Sequence, residues 1–186
     1  MKEQIKSTRG KRVIKIIIAV IVLVHIIPFP INKQFETFEI KLDDDTYMDE
    51  CTVSIKGKYY FNFFTKDKFV GKIIVSKYPL TNWEMNSIKV TRLLKGDDAY
   101  LSYRNKTYNE DDKRWHTERY ALGYLMTNTL FNKIAIGIIA NDDYPDNSER
   151  KGVEGWWGTA DGYMIVPSAK TRDEAIEKID EWSIFD

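Results

Sequence analysis

The chain has 186 residues, 28 basic against 28 acidic, with one cysteine and two histidines. One cysteine excludes an intrachain disulfide framework, and so few histidines leave little room for zinc sites or histidine-based triads. The zero net charge hides two opposite parts: residues 1–15 carry six cations against Glu3, net +5, while residues 32–186 carry 22 basic against 27 acidic, net −5.

The basic N-terminus runs into "RVIKIIIAVIVLVHIIPFPI", apolar from Val13 to Ile31 except for Lys15, His25 and two prolines. At about 1.5 Å per residue a helix of this length reaches across a hydrocarbon layer of about 30 Å. A cleaved secretory signal would need small residues after its apolar core, and His25-Ile-Ile-Pro-Phe-Pro supplies none. The expectation is a basic cytoplasmic tail over 1–12, a retained transmembrane anchor over 13–31 and an extracytoplasmic domain over 32–186. The excess of Lys and Arg before the span sets that orientation by the positive-inside rule. Twenty lysines against eight arginines, with many Ile and Asn, fit a bacterial source with an AT-rich genome. Phosphate contacts need clustered Lys and Arg, so an acidic domain points away from nucleic acid as a partner.

About 150 residues suffice for one domain with a real core. Periodicity through it is mostly two. Phe38, Ile40 and Leu42 alternate with Glu39 and Lys41; Cys51, Val53 and Ile55 alternate with Thr52 and Ser54. "KYYFNFFTKDKFVGKIIVSKY" reads as a β-hairpin turning at Thr65–Lys68. Ile88 and Val90 follow, then Ala99, Leu101 and Tyr103, a charged loop near 105–116, Tyr120 to Met126, and Ile134 to Ile138. The segment 155–166 reads as the last strand. Short connections force antiparallel neighbours, so the expected fold is all-β, a mainly antiparallel meander of eight or nine strands, barrel- or sandwich-like. "TRDEAIEKIDEW" then opens with Thr171 and Glu174 in a capping box and places Ala175, Ile176, Ile179 and Trp182 on one helical face. This predicts one C-terminal amphipathic helix docked on the sheet.

Candidate sites are few. Trp156-Trp157, between Gly155 and Gly158, suggests a sugar platform, but adjacent strand residues point to opposite faces. Trp115 stands in the charged loop beside His116, the one histidine of the domain. Trp156, Trp157 and Trp115 are therefore candidates for ligand or partner contact. Acidic loops over 43–50 and 141–146 lack the calcium-hand order and read as solvated turns. Cys51 alternates with Val53 and Ile55 like a small buried hydrophobe. No catalytic residue, metal ligand or cofactor is implied. The expected function is presentation of an extracytoplasmic β-domain that binds a protein or small-molecule partner, in a sensing, envelope or immunity-type role. The alternative is a cell-envelope hydrolase using Asp/Glu or Cys51.

Overall fold

A computed structural model describes residues 12–20, 22–23, 27–62, 65–90, 99–139 and 162–181. The strands are β1 (Phe29–Lys41), β2 (Asp44–Tyr60), β3 (Asp67–Val75), β4 (Glu84–Met85), β5 (Ile88–Val90), β6 (Ala99–Asn109), β7 (Arg114–Thr127), β8 (Ile134–Ile138) and β9 (Tyr163–Ile165), followed by a helix over Arg172–Glu181. They form one nine-stranded sheet in the order β4-β6-β7-β8-β9-β1-β2-β3-β5. Every pairing in it is antiparallel. The expected all-β meander with a C-terminal helix is therefore present, as a single curled sheet.

The curl follows from connectivity. β4 and β5 lie on opposite edges of the sheet, yet only Asn86 and Ser87 join them. Three Cα–Cα steps span at most about 11 Å, so the two edges must face each other across a narrow seam. Asn86 closes it, its backbone N–H donating to Ser102 O at 3.0 Å and its side-chain amide to Ser102 Oγ at 2.7 Å.

Alternation then sorts the side chains into two layers. The concave face collects Val53, Ile55, Tyr59, Phe69, Ile73, Leu101, Tyr103, Leu122, Leu125 and Ile136 into the main core. Phe38, Ile40, Met126, Ala135 and Met164 point the other way and pack under the helix through Ala175 and Ile179. The helix begins as its sequence predicts, with Glu174 N–H donating to Thr171 Oγ1 at 3.2 Å. Glu174 reaches back one residue further than a simple capping box, accepting from Lys170 N–H at 2.8 Å. Trp182 lies outside the described residues.

One end of the concave core is stoppered by Phe131, whose ring centre lies 4.8 Å from that of Phe69 and 6.1 Å from that of Tyr59. Placing it there puts Leu130 and Phe131 in the left-handed region, at φ 62° and 55°. Such residues cost about 1–3 kcal/mol each and need over-determined surroundings. Asn128 Oδ1 supplies them by accepting from Asn132 N–H and Lys133 N–H at 3.0 and 2.8 Å.

Several expectations are corrected. The segment 43–50 is not an acidic loop: only Leu42 and Asp43 turn, and β2 runs from Asp44. The charge pattern misleads because these charges are paired within the strand's surroundings, Asp45 with Arg172 and Asp49 with Lys77, while Tyr47 donates to Glu39. The expected hairpin is present, with Thr65 and Lys66 in its connection, but Asp67 and Lys68 already belong to β3. Asp67 opens β3 fully buried, its carboxylate accepting from Tyr59 OH at 2.9 Å and from Asn62 N–H at 2.8 Å. The segment 105–116 is not a loop but the tip of the β6–β7 hairpin. At the other boundary, Phe29, Pro30 and Ile31 belong to β1 and pair with Tyr59, Lys58 and Gly57, so the last three residues of the apolar run are part of the sheet. Ahead of them, residues 12–20 and 22–23 are helical. Among the described residues no helix is long and apolar enough to cross a membrane. Of the segment 155–166, Tyr163–Ile165 form β9, and residues 140–161 lie outside the described part.

Candidate functional site

Three places gather chemistry, and their geometry separates them. The first is the polar rim of the concave face opposite Phe131. Glu39 on β1 has no exposed surface. Its Oε1 accepts from Lys77 Nζ at 2.7 Å and Tyr47 OH at 2.9 Å, and its Oε2 accepts from Tyr78 OH at 2.5 Å. Lys77 also reaches Asp49 Oδ2 at 2.7 Å. An ionised carboxylate is tolerated in such a place only when paired and fully hydrogen-bonded, as here. Burial alone would lower the Lys77 pKa, but hydrogen bonds to Asp49, Glu39 and Tyr47 outweigh it and raise it. Burial pushes the Tyr47 phenol up to about 12. A lysine base needs a depressed pKa, and Lys77 is shifted the other way. It clasps β1, β2 and the turn after β3.

Cys51 lies beside this cluster. It is 6% exposed, and burial, with the charges of Glu39 and Asp49, pushes its thiol up to about 12. The thiolate is the nucleophilic form, so the site disfavours reaction at neutral pH. His116 lies on the hairpin tip, its Nε2 at 2.7 Å from Asp112 Oδ2, and the charged groups that act on Cys51 are Glu39, Asp49 and Lys77.

The second place is an open groove of about 560 Å3 lined by Glu36, Phe38, Glu50, Thr52, Ser76 and Lys170 among others. Glu36 pairs with Thr52 and Phe38 with Glu50, so the two glutamates are diagonal neighbours on one face. Both are exposed. The groove is shallow, and ligand sites that do chemistry bury most of the substrate.

The third place is the β6–β7 hairpin beyond the sheet. Among the described residues β6 pairs with β4 at Tyr103 and Arg104, and β7 pairs with β8 from Gly123 onward, with Ile139 N–H adding a bond to Leu122 O at 2.9 Å. Outside those contacts the two strands form a ribbon whose residues Lys106 to Arg119 are all exposed. At about 3.4 Å per residue the five steps from Arg104 to Asn109 carry its tip about 17 Å outward. The tip turn is pinned by its own side chains: Asn109 Oδ1 accepts from Asp111 N–H at 2.9 Å and Asp112 Oδ1 from Arg114 N–H at 3.1 Å. At the base Arg104 holds Glu84 through Nε and Nη2 at 3.1 and 2.6 Å. Near the tip the rings of Tyr108 and Trp115 tilt together at 5.3 Å. A cross-strand aromatic pair of this kind steadies a ribbon that would be marginal alone. That contact leaves Trp115 69% exposed.

Of the three tryptophans marked by the sequence, Trp115 is thus placed at an exposed, projecting position, while Trp156 and Trp157 lie outside the described residues. Tyr108 was missed; its register opposite Trp115 becomes visible only once 105–116 is read as two strands. Among the described residues no group of three or more His, Cys, Asp or Glu is placed to hold a metal ion. Of the acidic segment 43–50, Asp43 pairs with Lys41, Asp45 with Arg172 and Asp49 with Lys77; loop 141–146 lies outside the described part. No family model, curated protein or solved structure matches the chain.

Proposed function

We propose that the chain is a single-pass membrane-anchored module of a bacterial envelope, its N-terminus cytoplasmic, whose β-domain outside the membrane binds a protein partner through the Tyr108–Trp115 ribbon. The observation that carries the reading is the ribbon itself: an exposed indole about 14 Å beyond Arg104, on a two-stranded ribbon whose outer edges are unpaired among the described residues. Free edges accept another extended chain by backbone pairing, and a large aromatic anchor gives such a contact its energy. Support for the anchor comes from the N-terminal helical residues. Val13, Ile14, Ile16, Ile17, Ile18, Val20, Val22 and Leu23 are all exposed, so the domain covers none of them. An uncovered apolar helix preceded by a net +4 tail over residues 1–12 is stable against lipid.

A photo-crosslinking residue at position 115 of the full chain, expressed in bacteria, tests the contact. A discrete adduct from position 115 and none from Lys170 supports the proposal; no adduct, or the same adducts from both, refutes it. The hydrolase alternative would have to work from the Glu36–Glu50 groove. Envelope-polymer hydrolysis by the purified protein that disappears in Glu36→Gln and Glu50→Gln would favour it.

A further inference from the structure

The outward face of β2, β3 and β5 is a second surface that folding alone does not explain. On β2 the outward residues toward its C-terminal end are Lys56, Lys58 and Tyr60; on β3 they are Lys68, Val70 and Lys72; on β5 the outward residue is Lys89. All five lysines are exposed. The register sets them against each other: Lys56 is directly opposite Lys72, and Lys68 is directly opposite Lys89. Like charges at facing positions destabilise a sheet, and no carboxylate occupies an outward position on these segments to relieve them. This happens in a domain whose net charge is −5. Lys72 donates to Asn82 O at 2.8 Å and acts on Glu84 from a distance, while the hydrogen bonds of that carboxylate go to Arg104.

The location of the lysines is as informative as their sign. The apolar N-terminal segment enters the sheet at Phe29, and Lys58 and Lys56 lie opposite Pro30 and Asn32. Lys72 shares the level of Lys56, while Lys68 pairs with Tyr60, one residue beyond the level of Phe29. All five therefore lie within about 10 Å, along the strand direction, of the point where the apolar segment joins. The potential of an anionic bilayer decays over about 8 Å at physiological salt, so cations this close to the entry point feel it and more distant ones do not.

We infer that Lys56, Lys58, Lys68, Lys72 and Lys89 form a docking surface for anionic phospholipid headgroups, which lays the domain against the bilayer that its own N-terminal segment enters. The inference rests on the anchored reading above. Lysine suits the role: its flexible stem and compact charge follow a fluid headgroup layer without fixed geometry. Tyr60 is the sole aromatic residue among these outward positions, so the surface lacks the row of stacking rings by which single-stranded nucleic acid is held. Docking also fixes which way the β6–β7 ribbon faces.

The test uses the full chain reconstituted into vesicles of phosphatidylcholine alone or with about one-third phosphatidylglycerol. A membrane-impermeant amine reagent is read lysine by lysine by mass spectrometry, with exposed Lys113 and Lys170 as internal references. The five lysines should label at least about fivefold more slowly in the anionic vesicles, the difference should vanish in high salt, and the references should not change. The charge-reversed Lys58→Glu/Lys68→Glu chain should fold normally, both positions being exposed, and lose the protection at the remaining three. Equal labelling in the two compositions by a carbonate-resistant protein overturns the lipid surface and leaves the anchor standing. Release by carbonate from both refutes the anchor, and the labelling contrast still decides the lipid claim. Equal protection by inorganic phosphate in neutral vesicles would overturn it in favour of a small-anion site.

Discussion

Lys77 Nζ stands 2.7 Å from Glu39 Oε1, tying the turn after β3 to β1 beneath a carboxylate with no exposed surface. Removing one member of a buried pair leaves the other uncompensated, at about 3–5 kcal/mol. Lys77→Met should therefore lose that much stability in chemical denaturation. The double variant Lys77→Met/Glu39→Leu should recover a good part of it, since matched removal leaves no lone charge. A single-variant loss below about 1 kcal/mol would show that Glu39 is held by the two tyrosines alone.

Alkaline stability follows from the same corner of the fold. Cys51 and Tyr47 are pushed up to about 12 from ordinary values of 9.0 and 10.0, chiefly by burial. A group whose pKa rises on folding keeps its proton longer in the folded state, so the unfolded chain sheds protons first and stability falls as pH climbs. The fall should begin near pH 9 with the thiol and steepen from 10 with Tyr47 and with the phenols of Tyr59 and Tyr103, which burial raises further still. Cys51→Ala should be less stable at neutral pH but lack the part of the slope between 9 and 10. An unchanged slope would mean that Cys51 is open to water, and native protein would then also react quickly with a thiol reagent.

The helix is phased by its buried stripe. Ile179 is 1% exposed against Met164 and Val166 in the second core, while Glu177 is exposed. Ile179→Asp should cost several kcal/mol by burying an unpaired carboxylate, and Glu177→Lys less than about half a kcal/mol. Equal melting shifts would contradict the packing.

These positions also mark how far the sequence could be read. Alternation at Cys51, Val53 and Ile55 and the Thr171–Glu174 cap were legible because one face of each element meets a core and the other meets water. The ribbon was not. Both faces of residues 106–119 are wet, so nothing apolar alternates there and the strands look like a charged loop. Asp67 reads as a turn residue in sequence because aspartate favours turns; the partner that permits its burial, Tyr59 OH, is eight residues away across the hairpin. Lys33 was equally silent. It points into the concave face and donates to Phe131 O at 2.9 Å, a bond to a residue 98 positions distant. The lysine surface needed register as well: Lys56 and Lys72 are unremarkable in sequence and become a like-charge pair only when β2 and β3 are aligned.

Gly123 tests the bulge that aims the ribbon. Between Leu101 and Ser102 the register of β6 against β7 slips by one residue, and a Cβ on Gly123 would lie 1.9 Å from Gly137 O. Gly123→Ala should force β7 away from β8 and lower stability by about 2 kcal/mol or more. A neutral effect on the melting temperature would show that the two strands part without penalty.

The central claim is an anchored domain that exposes Trp115 on the far side of the membrane, and a single labelling experiment addresses it. Cys51 is buried and its thiol is held protonated, so the wild-type chain gives little background with a thiol reagent. Trp115→Cys and Ser7→Cys chains are expressed in bacteria, and intact cells are treated with a membrane-impermeant maleimide. The account predicts prompt labelling at 115 in intact cells and labelling at 7 only after the membrane is permeabilised. Labelling at 7 in intact cells, or protection of both positions until lysis, would contradict it.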